Sequence, residues 1–206
     1  MKQAFLYNQH QPVNFLLAGV GGQGTILASD ILAEIGLRLG YDVKKAEIHG
    51  MSQRGGSVVS NLRWAPQVFS PIVPRGTADV LIAFEKLEAA RFADYLRKGG
   101  VALVNDYSIP PVTVSSGTSI YPSDEAIREC LDALADEQHW VNGLAIAEGL
   151  GNVKTANVVL IGAFSAMIDL PEDIVLAAIE ARVPAKHLAI NRQAFTAGVA
   201  ALRQQA

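Results

Sequence analysis

NFLLAGVGGQGTILASDILAEIGLRLGYDVKKAE, residues 14–47, holds the strongest fold signal in the chain. Its first seven residues, Asn14–Val20, are a short apolar run that ends in glycines, the pattern of a buried strand. From Thr25 to Leu39, Ile26, Leu27, Ile31, Ile35 and Leu39 recur at helical intervals, and Gly40 closes the helix. Tyr41–Glu47 predicts a second strand. Strand, glycine turn, helix, strand is a βαβ unit, whose crossover is right-handed as a rule.

Working outward, Gly50–Gly56 predicts a loop. Ser57–Trp64 predicts a strand turned at Ala65-Pro66, forming an antiparallel edge. Asp79–Phe84 and Val101–Asn105 predict buried strands, with a helix over Glu88–Arg97 between them, stopped at Gly99-Gly100. Ser123 is a natural N-cap, with Asp124 and Glu125 in the first turn, where the helix dipole favours acids. Ile127, Leu131 and Leu134 share a face there, with Cys130 beside it as a small core residue. Gly143–Leu150 predicts a short helix. Thr155–Ile168 is apolar on nearly all sides and so is buried, in the core or against another subunit. Further helices are expected over Glu172–Arg182, after Pro171, and over Arg192–Leu202. Strands alternating with helices predict a single-domain, three-layer α/β/α sandwich on a mostly parallel, Rossmann-like sheet.

The composition narrows the function. The 206 residues are 50% hydrophobic and 18% charged, enough to build a core and too apolar for global disorder. A net charge of −3 without a long basic run argues against nucleic acid or an anionic membrane as main partner. One cysteine makes neither an internal disulfide nor a four-thiolate cluster, and the four histidines lack metal-ligand spacing. No metal site is expected. The start, MKQAFLYNQHQP, lacks the apolar stretch and cleavage site of a secretory signal, so a cytoplasmic location is expected.

Two loops carry the candidate site. Gly19, Gly21 and Gly24 satisfy G-x-G-x-x-G, with Gly22 and Gln23 inside it. Glycines here permit a tight turn and close backbone approach, and the helix behind offers free N–H groups to an anion. Glu47 stands at the end of the second strand, where a dinucleotide fold keeps its ribose acid. These six residues are the candidate cofactor-binding set of a stand-alone NAD- or FAD-dependent oxidoreductase. Equally, the glycines serve only the turn and the helix packing. No catalytic residue is assigned: the Tyr-x-x-x-Lys match, Tyr41 to Lys45, falls before and within a strand, and no serine sits in a nucleophile elbow. The second loop, HGMSQRGGS, offers Arg54 for a carboxylate or phosphate, and Gln53 and Ser57 for hydrogen bonds. Gly55 and Gly56 allow close approach, and Met51 adds an apolar contact. Its plain alternative is a solvated turn.

GVGGQG, followed by EIHGMSQRGGSV, resembles the gamma-type subunit or domain of 2-oxoacid:ferredoxin oxidoreductases. The likeness continues through Ser70-Pro71-Ile72, Gly76–Glu85, Asn105 and Asn157–Ala163, over roughly residues 14–202. Within that family the MSQRGG loop and the NVVLIGA segment look most like the small (beta) subunit of the indolepyruvate enzymes. The resemblance implies residues 1–13 as a tail and 14–202 as a pyruvate/ketoisovalerate oxidoreductase gamma-type domain. It implies a complex that converts an aryl 2-oxoacid and coenzyme A to acyl-CoA, CO2 and reduced ferredoxin. Thiamine diphosphate, Mg and iron–sulfur clusters would sit on a large alpha subunit. This chain would bind none of them itself and be inactive alone. It would meet ferredoxin only through the complex. Isolated, it has the option of a homodimer through its partner-facing surface. A ligand-free scaffold is the remaining alternative.

Overall fold

The computed structural model describes residues 11–49 and 56–205. Strands β1 (Val13–Val20), β2 (Asp42–His49), β3 (Ser57–Ala65), β4 (Ala78–Ala83), β5 (Leu96–Asn105) and β6 (Glu137–Val141) form one sheet in the order β2-β3-β1-β4-β5-β6. β3 is antiparallel to both its neighbours, and the other five strands point one way.

Alternation along β1 sends its side chains to two cores. Phe15 and Leu17 face α1 (Thr25–Arg38), α5 (Gly143–Gly149), α6 (Ala156–Met167), α7 (Glu172–Arg182) and α8 (Leu188–Arg203). Leu16 and Ala18 face α2 (Lys86–Phe92) and α4 (Asp124–Asp132). A one-turn helix, α3 (Val112–Ser115), lies between β5 and α4. The three-layer sandwich is therefore as expected. Under α1 the first core is anchored by Trp64, fully buried, stacked with Tyr41 and tilted against Phe15. Gly36 on α1 makes room for its ring.

Several elements differ from the sequence reading. β3 is interior rather than an edge, because it is buried on both faces and pairs along its whole length on both sides. The helix expected over 88–97 starts at Lys86, where the Glu85 carboxylate caps it by accepting the Glu88 N–H at 2.9 Å. It ends at Phe92, passes through a 3-10 turn over Ala93–Tyr95, and residues 96–100 join β5. β6 was not expected, since in EQHWV only Val141 is fully buried. α8 begins at Leu188, a turn before Arg192. Ser123 does cap α4, its Oγ accepting the Ala126 N–H at 3.2 Å. That helix stops at Asp132 and leaves Leu134 exposed.

Candidate cofactor and partner site

After β1 the chain turns to α1 on one face of the sheet, and after the adjacent β4 it turns to α2 on the other. Chains that part this way open a crevice beyond the carboxyl ends of the strands. A cleft of about 390 Å³ lies there, between the glycine loop, Phe84, Tyr107 and the start of α6. Its walls include Leu27, Leu144 and Val153. Lys154 stands exposed on the wall, without an ion pair among the described residues.

The loop is held from within. Gln23 accepts the Val20 N–H at 2.8 Å and donates to the Phe84 carbonyl at 2.7 Å. Asn105 donates to the same carbonyl at 3.0 Å and accepts the Gly143 N–H at 2.9 Å. Asn157, at the head of α6, donates to the Gly24 carbonyl at 3.2 Å and accepts the Val158 N–H at 2.9 Å. Three side-chain amides thus join the ends of β1, β4 and β5 to α1, α5 and α6. Gly24 has φ 79° and leaves no room for a Cβ, which would lie 2.5 Å from Asn157 Nδ2. A Cβ at Gly19 would lie 2.7 Å from Thr25 Oγ1, so this glycine serves packing. No side chain caps α1.

The two loops touch: the Gly21 N–H donates to the Gly56 carbonyl at 2.9 Å. Ser57 Oγ bonds the buried Glu88 carboxyl, which also holds Arg91 at 2.5 Å. Burial drives the Glu88 carboxyl above the usual carboxylate range, against the downward pull of Ser57 and Arg91. Met51, Gln53, Arg54 and Gly55 lie outside the described residues. Glu47 is not brought to the glycine loop. β3 lies between β1 and β2, which sets Glu47 two strands from β1, about 10 Å away. It shares Lys45 with Asp30. Burial pulls the Lys45 ammonium down, but Asp30 and Glu47 together hold it above its ordinary value.

Sequence reasoning missed the polar floor behind these loops. Glu85, fully buried, accepts from the Ile109 N–H at 3.0 Å and from the Tyr121 hydroxyl. Burial, and then the bond to this carboxylate, push the Tyr121 phenol up. Lys86 meets Asp106 at 3.0 Å and Asp124 at 2.9 Å. Burial lowers its ammonium, but the two acids leave it raised on balance. The available signal was Glu85-Lys86 directly after the apolar run 79–84.

Residues 14–201 match the model of the pyruvate ferredoxin/flavodoxin oxidoreductase family. The chain is 39% identical over 194 residues to the indolepyruvate oxidoreductase subunit IorB of Thermococcus kodakarensis, covering 93% of this chain and 96% of that one. It is 40% identical to the IorB subunit of Pyrococcus horikoshii, with the same coverage. The chain belongs to the pyruvate ferredoxin/flavodoxin oxidoreductase family.

The fold is shared with solved oxidoreductase chains of low identity. The keto/oxoacid ferredoxin oxidoreductase gamma subunit of Geobacter sulfurreducens superposes with a TM-score of 0.67 at 23% identity, over 93% of this chain and 99% of that one. The 2-oxoglutarate:ferredoxin oxidoreductase of Magnetococcus marinus, determined with 2-oxoglutarate, coenzyme A and succinyl-CoA bound, superposes at 0.73 and 19% identity. There the fold takes up 31% of a longer chain and covers 94% of this one. As a family member the chain poses a fit question for thiamine diphosphate with Mg and for iron–sulfur clusters. A single thiol is too few to hold an iron–sulfur cluster. The chain's single thiol, Cys130, is half-buried against the Ala90 carbonyl. Among the described residues no three of His, Cys, Asp and Glu gather where a metal would need them. Among the described residues, no helix is long and apolar enough to cross a membrane.

Proposed function

We propose that this chain is the small subunit of an indolepyruvate-type 2-oxoacid:ferredoxin oxidoreductase. The complex takes an aryl 2-oxoacid and coenzyme A to acyl-CoA, CO2 and a proton, and passes two electrons to ferredoxin. The carrying observation is the near full-length match to IorB subunits by a chain with a single cysteine. Thiamine diphosphate, Mg and the iron–sulfur clusters belong on a large subunit, ferredoxin meets the complex rather than this chain, and the site of action is the cytoplasm. Residues 14–202 are the working unit.

The glycine loop (Gly19, Gly21, Gly22, Gln23, Gly24) and the second loop (Met51, Gln53, Arg54, Gly55, Gly56, Ser57) form its working face, toward the large subunit or the acyl acceptor. The Gly21–Gly56 hydrogen bond, which ties the glycine loop to the last residues of the second loop, supports this reading. The stand-alone NAD or FAD reading is weakened by the distance of Glu47 from the glycine loop.

The test is co-expression with the large thiamine-bearing subunit and an assay with indolepyruvate, coenzyme A and ferredoxin. Activity is expected from the pair and not from either chain alone. Full activity of the large subunit by itself would refute the reading. Arg54→Ala is expected to weaken assembly or raise the KM for coenzyme A by at least tenfold, since loss of one partner of a buried charge pair costs about 2–5 kcal/mol.

A further inference from the structure

Gly21, the first residue past β1, is fixed by a rung that continues the β1–β3 ladder. Val20 lies opposite Ser57 in the register, and one step on the Gly21 N–H donates to the Gly56 carbonyl at 2.9 Å. Terminal rungs open more readily than interior ones. This one is braced from the α2 face. Ser57, next to Gly56, donates its hydroxyl to Glu88 Oε2, while Glu88 Oε1 takes Arg91. The bond bridges β3 to α2. Glu88 is itself anchored, because the Glu85 carboxylate accepts its backbone N–H at 2.9 Å. Just before Glu85, the Phe84 carbonyl takes Gln23 of the glycine loop at 2.7 Å. The start of α2 therefore reaches that loop by two routes.

Glu88 is a costly residue to keep. It is 3% exposed, and burial, then the nearby Glu85 carboxylate, oppose its charge. Exchanging a buried ion pair for apolar groups is often neutral or stabilising, so stability alone does not account for the carboxylate. Arg91, with a half-exposed side chain, keeps its water whether or not Glu88 is charged. What Glu88 supplies is direction. A hydrogen bond to an ionised group is about twice as strong as a neutral one, and this one is aimed at the neighbour of Gly56.

We propose that Glu88 is a positioning residue of the working face: through Ser57 it holds the Gly21–Gly56 rung, and thereby sets the glycine loop for coenzyme A. This rests on the function proposed above. The loop borders the cleft of about 390 Å³, a space of small-molecule size, and Glu88 is not among the residues lining it. Glu88 thus acts through Ser57 and not by touching a ligand. A loosened rung is felt in binding rather than in the chemistry, which belongs on the large subunit.

Glu88→Gln and Ser57→Ala cut the link from its two ends. In the full isolated chain, exchange of the Gly21 amide, read by NMR relative to the β4 amides, is expected to quicken at least ~10-fold in either variant. The double variant is expected to be no faster than the single ones, because both changes cut one path. Glu34→Gln, which takes a carboxylate from Arg38 and Arg182 near the C-terminal end of α1, leaves Gly21 at the wild-type rate. In complex with the large subunit, both single variants are expected to raise the KM for coenzyme A at least ~10-fold with kcat unchanged. Wild-type exchange of Gly21 in both variants overturns the proposal. So do additive effects in the double variant, and so does a loosened rung with an unchanged KM, which would leave the bond purely structural. Should Glu88→Gln fail to fold, Ser57→Ala decides, since it removes a lone hydroxyl. If the wild-type pair turns over no oxoacid, the functional reading fails, and this role with it.

Discussion

Gly24 and Asn157 meet across 133 positions of sequence, and the glycine loop depends on that meeting. Gly24→Ala forces an L residue to φ 79° and drives a methyl into the Asn157 amide. A left-handed non-glycine residue costs about 1–2 kcal/mol before any clash. Thermal unfolding should show at least that loss. Glu88 gives a pH-dependent outcome. Its carboxyl titrates higher folded than unfolded, so the folded state holds the proton more tightly. Stability is then lost as pH rises from the unfolded pKa through the folded one, and the penalty is complete above both. Glu88→Gln removes that titration but also weakens the bonds to Ser57 and Arg91. The melting temperature of the variant, relative to wild type, should therefore climb as pH rises above the ordinary value of 4.5. A flat difference would mean that Glu88 does not titrate upward. Here lies the limit of the sequence reading of the site. GVGGQG was legible because a tight turn leaves a local glycine pattern. The amides of Gln23, Asn105 and Asn157 were not legible as a unit, because their partners are set by tertiary contact. Glu47 was misplaced by two strands for the same reason: nothing between residues 14 and 47 reveals that β3 inserts between β1 and β2.

At the scale of elements, the crossing of α6 and α8 controls one whole layer. The sequence left open whether the all-apolar stretch 155–168 lay in the core or against another subunit. It is core: α6 is wedged between the sheet and α8, with Asn157 to Ser165 all buried. Gly162 abuts the Phe195 carbonyl and Gly198 the Val159 carbonyl, so the two backbones run in contact. Gly198→Ala must push the helices apart and should cost about 1–3 kcal/mol or more, as overpacking does. Gly149, at the end of α5, faces open space, and Gly149→Ala should raise stability by about 0.5 kcal/mol. Opposite signs for one chemical change, read by denaturant melts, would separate close approach from mere helix propensity. Elements with strong periodicity or continuous apolar runs, such as β1, β4 and α1, were readable. β6 was not, because an edge strand buried at one end presents neither alternation nor an apolar run. The false extension of α2 to residue 97 arose where β5 begins in polar residues, Arg97-Lys98-Gly99, which carry no strand signal of their own.

Taken as a whole, the molecule is lopsided. Among the described residues, one face of the sheet carries α1 and α5 to α8 around a continuous apolar core, and the other carries α2, α4 and the segment 68–73. The thin side has the smaller apolar core, braced by charge. Lys86 joins α2 to Asp106 and Asp124, and Glu85 ties in Ile109 and Tyr121. A layer with a smaller apolar core surrenders less apolar area on opening, so its local opening free energy is lower. Native-state hydrogen exchange should therefore rank the amides: α4 and β6 exchange first, β1, β4 and α6 last. The Lys86 clamp adds a direction. Because its ammonium titrates above the unfolded value of 10.5, its stabilising contribution is complete below that pH and is lost as pH rises through the folded pKa. Lys86→Met, which leaves both acids without their cation, should speed exchange of α4 at neutral pH while leaving α6 at the wild-type rate. Equal acceleration in both layers would show that the molecule opens as one unit, and the thin side would then have no separate stability to lose.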